Sequence, residues 1–312
     1  MNVLVMSISK KIPMLKAVKE ALLRVDSMGR LYGADTNSKC LGKYFVDQFW
    51  HCPPLAALPI YEFIQYCHNN GISVVIPSRD GELFYFAENR SILEEQGIHV
   101  MVSDLEAIIT SNDKLLFSKL REMRGYPVIP SYTCTSFDSE YYVVKERYGA
   151  GSLKAGIKLS RRQAEEYLPK LSFPIIQPYI DGTECSADVY IDKNYKAKGV
   201  IVRERNYVEA GESQITTSFH DKSLEQLFGS IAEKLMMRGH VMFQFIRDED
   251  GQVYIIECNA RFGGASTLSI AMGLDSFYWF MQESRGVPSG KLPYYRADIE
   301  KTMIRHAEDT II

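Results

Sequence analysis

The chain has 312 residues, 46% of them hydrophobic, enough for two domains or for one domain with a large lobe. Its 36 basic and 39 acidic residues are mixed along the sequence and leave a net charge of −3. That balance excludes the basic stripe of a nucleic-acid binder and the polybasic surface of a membrane-docking protein.

The opening MNVLVMSISKK is apolar before it is basic, the reverse of a secretion signal. No run approaches the roughly 20 apolar residues of a membrane span. Cys40, Cys52, Cys67, Cys134, Cys185 and Cys258 form no C-x-x-C pair and read as small buried hydrophobes, so a reducing cytoplasm is the expected location. From residue 2 to about 103, NVLVMSI, GRLYGAD, ISVVIPS and IHVMVS read as strands. Between them KIPMLKAVKEALLRV, PIYEFIQYCHNNG and GELFYFAENRSILEEQG have helical periodicity. This alternation predicts a doubly wound α/β domain with a parallel sheet over residues 1–104. The first turn, Ser7-Ile8-Ser9-Lys10-Lys11, has no G-x-G-x-x-G, so no dinucleotide site is assigned to it. Asp35 reads as a turn former or a crevice contact, and Asp80 as a helix cap or a ligand contact.

The pattern changes after Ser103. NDKLLFSKLREMRG predicts one amphipathic helix, with Asn112 or Asp113 as N-cap and Gly125 as C-cap. YYVVKER, GIKLS, PIIQPYI, TECSADVYID, YKAKGVIVRER and SQITTSF then read as hairpin-linked strands, interrupted by the helix SRRQAEEYLPKL. Residues 105–312 are therefore expected to form an α+β domain with antiparallel sheets.

Several residues in this half admit a functional reading beside a structural one. Lys114 stands in the first turn of its helix, where the dipole disfavours a cation unless something anionic lies nearby. Lys145 interrupts an apolar strand, as either a snorkelling edge residue or a ligand contact. The tip that follows holds Gly149, Gly151 and Ser152. It reads as an ordinary loose turn or as a flap whose N–H groups converge on phosphate, and it is not a Walker A loop because no G-K-[ST] follows.

PIIQPYIDGTE offers the extended backbone of Gln177, Tyr179 and Ile180 to a base edge and the carboxylate of Glu184 to ribose hydroxyls. Asp188 is left open between a ligand contact and a solvated strand position. Arg203 and Arg205 share a strand face, as a solvent-facing pair or as a clamp for a carboxylate or phosphoryl group.

The runs GHVMFQFIR and VYIIECNARFGGA flank Asp248-Glu249-Asp250-Gly251 and predict a hairpin. With a reversal symmetric about Glu249 and Asp250, Gln244 faces Ile255 and has Glu257 as its diagonal neighbour, with Asn259 on the same face. Diagonal positions roughly 7–8 Å apart allow oxygen ligands to share one Mg²⁺ at about 2.0–2.1 Å each, although polar groups at a strand end are commonly just solvated. A one-residue bulge breaks this register.

Taken in order, Lys114, Lys145 with GAGS, QPYIDGTE, the QF strand and ECNARFGG resemble the ATP-grasp superfamily, closest to single-chain members similar to the synthetase units of the carbamoyl-phosphate synthase large chain. The resemblance implies an α/β domain ahead of a two-lobed ATP-grasp domain, with a glycine-tipped flap lobe over about 112–180 and a metal-binding lobe over about 181–312. It implies that Lys114, Lys145 and Gly149 to Ser152 contact ATP phosphates. Gln177 to Ile180 would line adenine, and Glu184 would bind ribose. Gln244, Glu257 and Asn259 would hold Mg²⁺. Arg261 would steady the γ-phosphoryl group, and Arg205 would bind the acceptor or its acyl phosphate.

The implied activity is an ADP-forming carboxylate–amine or carboxylate–ammonia ligase. The alternatives are a kinase that stops at an acyl or carbamoyl phosphate and an ATP-binding regulatory module. With one synthetase-like unit and no glutaminase segment, full carbamoyl-phosphate synthesis is not expected. Small carboxylate and amine substrates are the implied partners, and a homodimer is compatible with this type of protein.

Overall fold

The structure is a computed structural model and describes residues 1–149 and 155–311. The first part of the chain runs β1 (Asn2–Met6), α1 (Ile12–Val25), β2 (Arg30–Asp35), β3 (Gln48–His51), α2 (Ile60–Asn69), β4 (Ile72–Ile76), α3 (Asp80–Glu88), α4 (Arg90–Glu95) and β5 (His99–Val100). Its five strands pair in parallel in the order β3-β2-β1-β4-β5. Chain order reverses direction between β1 and β4, so the crevice of this doubly wound sheet opens at their carboxyl ends. Two details depart from the sequence reading. The short strand β3 was not expected, and the expected helix over GELFYFAENRSILEEQG divides at Asn89, which caps the end of α3 and the start of α4.

The remainder runs α5 (Leu105–Asn112), α6 (Lys114–Ser118), α7 (Leu120–Arg124), β6 (Tyr142–Glu146), β7 (Gly156–Leu159), α8 (Arg161–Tyr167), β8 (Pro174–Pro178), β9 (Thr183–Ile191), β10 (Ala197–Glu209), β11 (Glu212–Phe219), α9 (Lys222–Lys234), β12 (Gly239–Arg247), β13 (Val253–Asn259), α10 (Thr267–Ala271), α11 (Ser276–Ser284) and β14 (Thr302–Ile304). These strands form a small sheet, β7-β6-β8, and a large one, β13-β12-β9-β10-β11-β14, both antiparallel. The helix expected over residues 112–125 is two short helices. Lys119 N–H bonds back to the Leu116 carbonyl, an i−3 contact that tightens the turn and interrupts the ladder. Asp113 caps α6 by accepting from the N–H groups of Leu115 and Leu116 at 3.0 and 3.1 Å, and Gly125, at φ 69°, closes α7.

Alternation along β1 sends Leu4 and Met6 into one buried layer and Val3 and Val5 into the other, and both layers continue into the large sheet. Ala187, Val189 and Phe243 join the first layer; Tyr190, Ile201 and Phe262 join the second. The small sheet has a separate core of Tyr142, Val144, Ala164, Leu171 and Ile176. Five cysteines are buried as expected, whereas Cys134 is exposed on the segment before β6.

Candidate active site

A cleft of 410 Å³ lies between the small sheet and the large one. β6 contributes Lys145 and β8 contributes Gln177, followed by Tyr179 and Ile180. β12 and β13 supply Gln244 and Glu257, and α6 supplies Lys114. Ile129, Val143, Ile157 and Ile246 give the same cleft an apolar wall, suited to a flat heterocycle.

The hairpin register differs from the sequence expectation. Near the turn the pairs Arg247–Val253, Ile246–Tyr254 and Phe245–Ile255 are centred on Asp250, with Gly251 at φ 80°. A bulge at Ile256 then moves the register once more, so Gln244 lies directly opposite Glu257 and not Ile255. In a regular strand Ile256 and Glu257 would face opposite sides of the sheet; here both line the cleft.

The polar groups are closely coupled. Asn259 Nδ2 donates to Glu257 Oε1 at 3.2 Å, and Glu257 Oε2 lies 3.6 Å from Lys114 Nζ. Lys114 Nζ also donates to the Gly149 carbonyl at 2.6 Å. The Glu257 carboxylate and this carbonyl are the negative partners that the cation at the start of α6 calls for. Burial pushes the Lys145 ammonium down to about 8; the charge of Lys114 acts in the same direction, and Glu257 and Glu184 oppose it.

At the end of β8, Tyr179 N–H is already bonded to the Tyr141 carbonyl at 2.9 Å, so that amide is not free for a base edge, contrary to the sequence reading. Ile180 N–H has no partner among the described residues. Gly182 then turns the chain into β9 at φ 152°, where a Cβ would meet the Arg247 carbonyl at 2.5 Å. Glu184 is exposed and accepts from Arg205 Nη1 at 3.2 Å. Arg205 also donates to Ser213 Oγ at 3.1 Å and to the Gly211 carbonyl at 2.8 Å, and burial lowers its pKa.

A second cavity of 210 Å³ adjoins the first; Arg205, Gln244 and Glu257 line both. Asn259 and Arg261 open only onto this second space. Arg261 is held from the first domain, with Nε and Nη2 donating to the Asp80 carboxylate at 2.8 and 2.6 Å. Lys11, from the loop after β1, completes the cationic side.

Two family models match the sequence. Residues 171–307 match "ATP-grasp in the biosynthetic pathway with Ter operon", and residues 3–101 match the "PylC-like, N-terminal domain". The chain carries an ATP-grasp domain. Similar folds include the biotin carboxylase domain of Hydrogenobacter thermophilus 2-oxoglutarate carboxylase, in complex with MgADP, ADP and bicarbonate, at 18% identity and a TM-score of 0.72, covering 96% of this chain and 73% of that one. Another is Staphylococcus aureus N5-carboxyaminoimidazole synthetase with ADP, at 16% identity and 0.69, covering 94% and 78%. A third is the L-amino acid ligase of Bacillus licheniformis, at 16% and 0.66, covering 91% and 73%. No curated protein sequence matches the chain.

The ATP-grasp fold brings together Lys114, Lys145, Gly149, Gln177, Tyr179, Ile180, Glu184, Arg205, Gln244 and Glu257 around one cleft. Gly151 and Ser152 lie outside the described residues. Asp188, left open between ligand and solvent, is neither. It is fully buried and accepts from Arg203, His240, Ser266 and Ser269, with Arg203 Nε at 2.9 Å. Arg203 is therefore no solvent-facing partner of Arg205 but one half of a buried ion pair beneath the cavity.

Asp35 does act as a turn former, accepting from the N–H groups of Ser9 and Asn37. Lys11 was missed as a site residue, and Asp80 was weighed without its partner Arg261. The available signal was topological: both follow strands whose carboxyl ends flank the switch point of the first sheet.

Proposed function

We propose that the protein is an ATP- and Mg²⁺-dependent, ADP-forming carboxylate–amine or carboxylate–ammonia ligase that works through an acyl phosphate. The observation that carries this reading is the meeting of Lys114, Lys145, Gln244 and Glu257 in one cleft that opens directly onto a second, cationic cavity. Of the similar proteins, one binds MgADP and bicarbonate and another is an amino acid ligase, which supports the same chemistry here.

In this reading the apolar wall and Ile180 N–H receive adenine, and Glu184 receives the ribose. Lys114 and Lys145 neutralise phosphate charge, with Gly149 beside them in the cleft. Gln244, Glu257 and Asn259 offer one carboxylate and two amide oxygens. Among the described residues no three His, Cys, Asp or Glu side chains gather into a metal cage, so the donor set fits Mg²⁺ that keeps waters and phosphate oxygens as ligands. When bound, Mg²⁺ supplies neutralising charge across the transferring phosphoryl group.

The acceptor carboxylate occupies the second cavity near Arg205 and Arg261. Its oxygen attacks the γ-phosphorus and ADP leaves; the amine nitrogen then attacks the acyl carbon and releases inorganic phosphate. The side chains contribute alignment, charge and exclusion of water, and no protein nucleophile is needed.

The test is nucleotide turnover with a panel of carboxylates and amines, following ADP against AMP, with Glu257→Gln in parallel. ADP release that needs both substrates and falls by on the order of 10²-fold in the variant is the expected result. Hydroxylamine-trapped acyl phosphate that accumulates without amine identifies a kinase instead, and AMP as product overturns the mechanism.

A further inference from the structure

Among the described residues, the second cavity contains one cation with no direct ion-pair partner. Its three arginines are each paired: Arg203 with Asp188 at 2.9 Å, Arg205 with Glu184 at 3.2 Å and Arg261 with Asp80 at 2.6 Å. Its two glutamates are paired as well, Glu257 with Lys114 and Glu212 with Arg305. Lys11 has neither a hydrogen bond from its side chain nor an ion pair among the described residues, yet it is half-buried, whereas its neighbour Lys10 is exposed.

Its position adds to the cost of that isolation. Lys11 is the N-cap of α1, its carbonyl accepting from Leu15 N–H at 2.9 Å, and the first turn of α1 contains no acidic residue. A cation is therefore held at the positive end of a 14-residue helix, close enough to Arg261 to feel its charge, with Glu212, Asp80 and Glu82 opposing that repulsion from beyond ion-pair distance. An ordinary surface lysine would turn outward. This one lines a cavity at the carboxyl end of β1, facing the crevice of its sheet.

We propose that Lys11 is a specificity-determining residue that selects acceptors carrying a second carboxylate, beyond the one that is activated. The inference rests on the proposed reading only in taking this cavity as the acceptor site. One unpaired ammonium matches one singly charged carboxylate. A volume of 210 Å³, below the roughly 300–1,000 Å³ of drug-sized pockets, confines the acceptor to a small molecule. Arg205, at the wall shared with the ATP cleft, serves the reacting end, and Lys11, which with Arg261 lines only the second cavity, the distal end.

The experiment is calorimetric binding to the full chain loaded with MgADP, using matched pairs: succinate and butyrate, glutarate and valerate, glutamate and 2-aminopentanoate. The expected result is that at least one dicarboxylate binds about tenfold or more tightly than its partner, as a charged hydrogen bond allows. Lys11→Gln removes that preference while MgADP affinity is kept and the melting temperature is not lowered. Equal or absent binding within every pair, a preference that survives Lys11→Gln, or binding of phosphonoacetate alone overturns the proposal. Because the readout is binding, a dicarboxylate preference without any ADP release removes the ligase reading and leaves this inference standing. ADP-forming turnover that is equal for the dicarboxylate and the monocarboxylate of every pair, and unchanged for both in Lys11→Gln, does the reverse.

Discussion

Lys145 and Lys114 share a cleft with one nearby carboxylate, Glu257, and the exposed Glu184, so the two ammonium groups compete for too little negative charge. Burial brings Lys145 down to about 8 from 10.5, and between those values the unfolded chain binds more protons than the folded one. Stability therefore gains as pH rises through that window. Nucleotide binding has the opposite sign, because phosphates favour the ammonium and must draw in a proton once the pH exceeds about 8. MgADP affinity is accordingly expected to fall above pH 8, approaching tenfold per pH unit. Calorimetry near pH 9 in two buffers of different ionisation enthalpy should register proton uptake. In Lys145→Met binding is weaker and the uptake is gone; uptake that persists in this variant assigns it elsewhere.

Helix α6 has only five residues, too short to hold Lys114 in place by its own propensity, and its position depends on Asp113. This carboxylate caps the helix and also accepts from Arg147 Nε at 2.7 Å, tying α6 to the end of β6. The Arg147 carbonyl in turn accepts from Lys114 N–H. Asp113→Ala is expected to cost about 1–3 kcal/mol, from the lost cap and a half-exposed ion pair, and to weaken MgADP binding severalfold. Asp113→Asn keeps the cap acceptor and should lose only part of each; denaturant unfolding and nucleotide titration of both variants check this. Asp113 was legible as a cap because capping is local, whereas its bond to Arg147 spans 34 residues and has no local signal. The same distinction applies to the hairpin. Alternation and Asp-Gly disclosed two strands and a shared polar face, but the bulge at Ile256 is visible only in pairing, and it is what puts Gln244 directly opposite Glu257.

Across the whole molecule, the two buried layers that pass from β1 into the large sheet make the first domain and the β12–β13 side of the cleft one body, while the small sheet folds around its own core. The alternation of strands and helices made both architectures readable from the sequence; the joint between them was not, because it depends on residues far apart in the chain. Asp80 and Arg261 are 181 positions apart, yet two parallel hydrogen bonds fix the guanidinium in the cavity that Gln244 and Glu257 also line. The first domain thus orients a side chain that we propose acts in phosphoryl transfer, without itself lining the 410 Å³ cleft. Asp80→Ala frees Arg261 to leave its place and leaves the walls of that cleft unchanged. Steady-state kinetics should show kcat lowered by about 10- to 100-fold with KM for ATP within about twofold, the pattern of an interaction made in the transition state. A variant that instead raises KM for ATP and spares kcat would place Arg261 in nucleotide binding and remove the first domain from the chemistry.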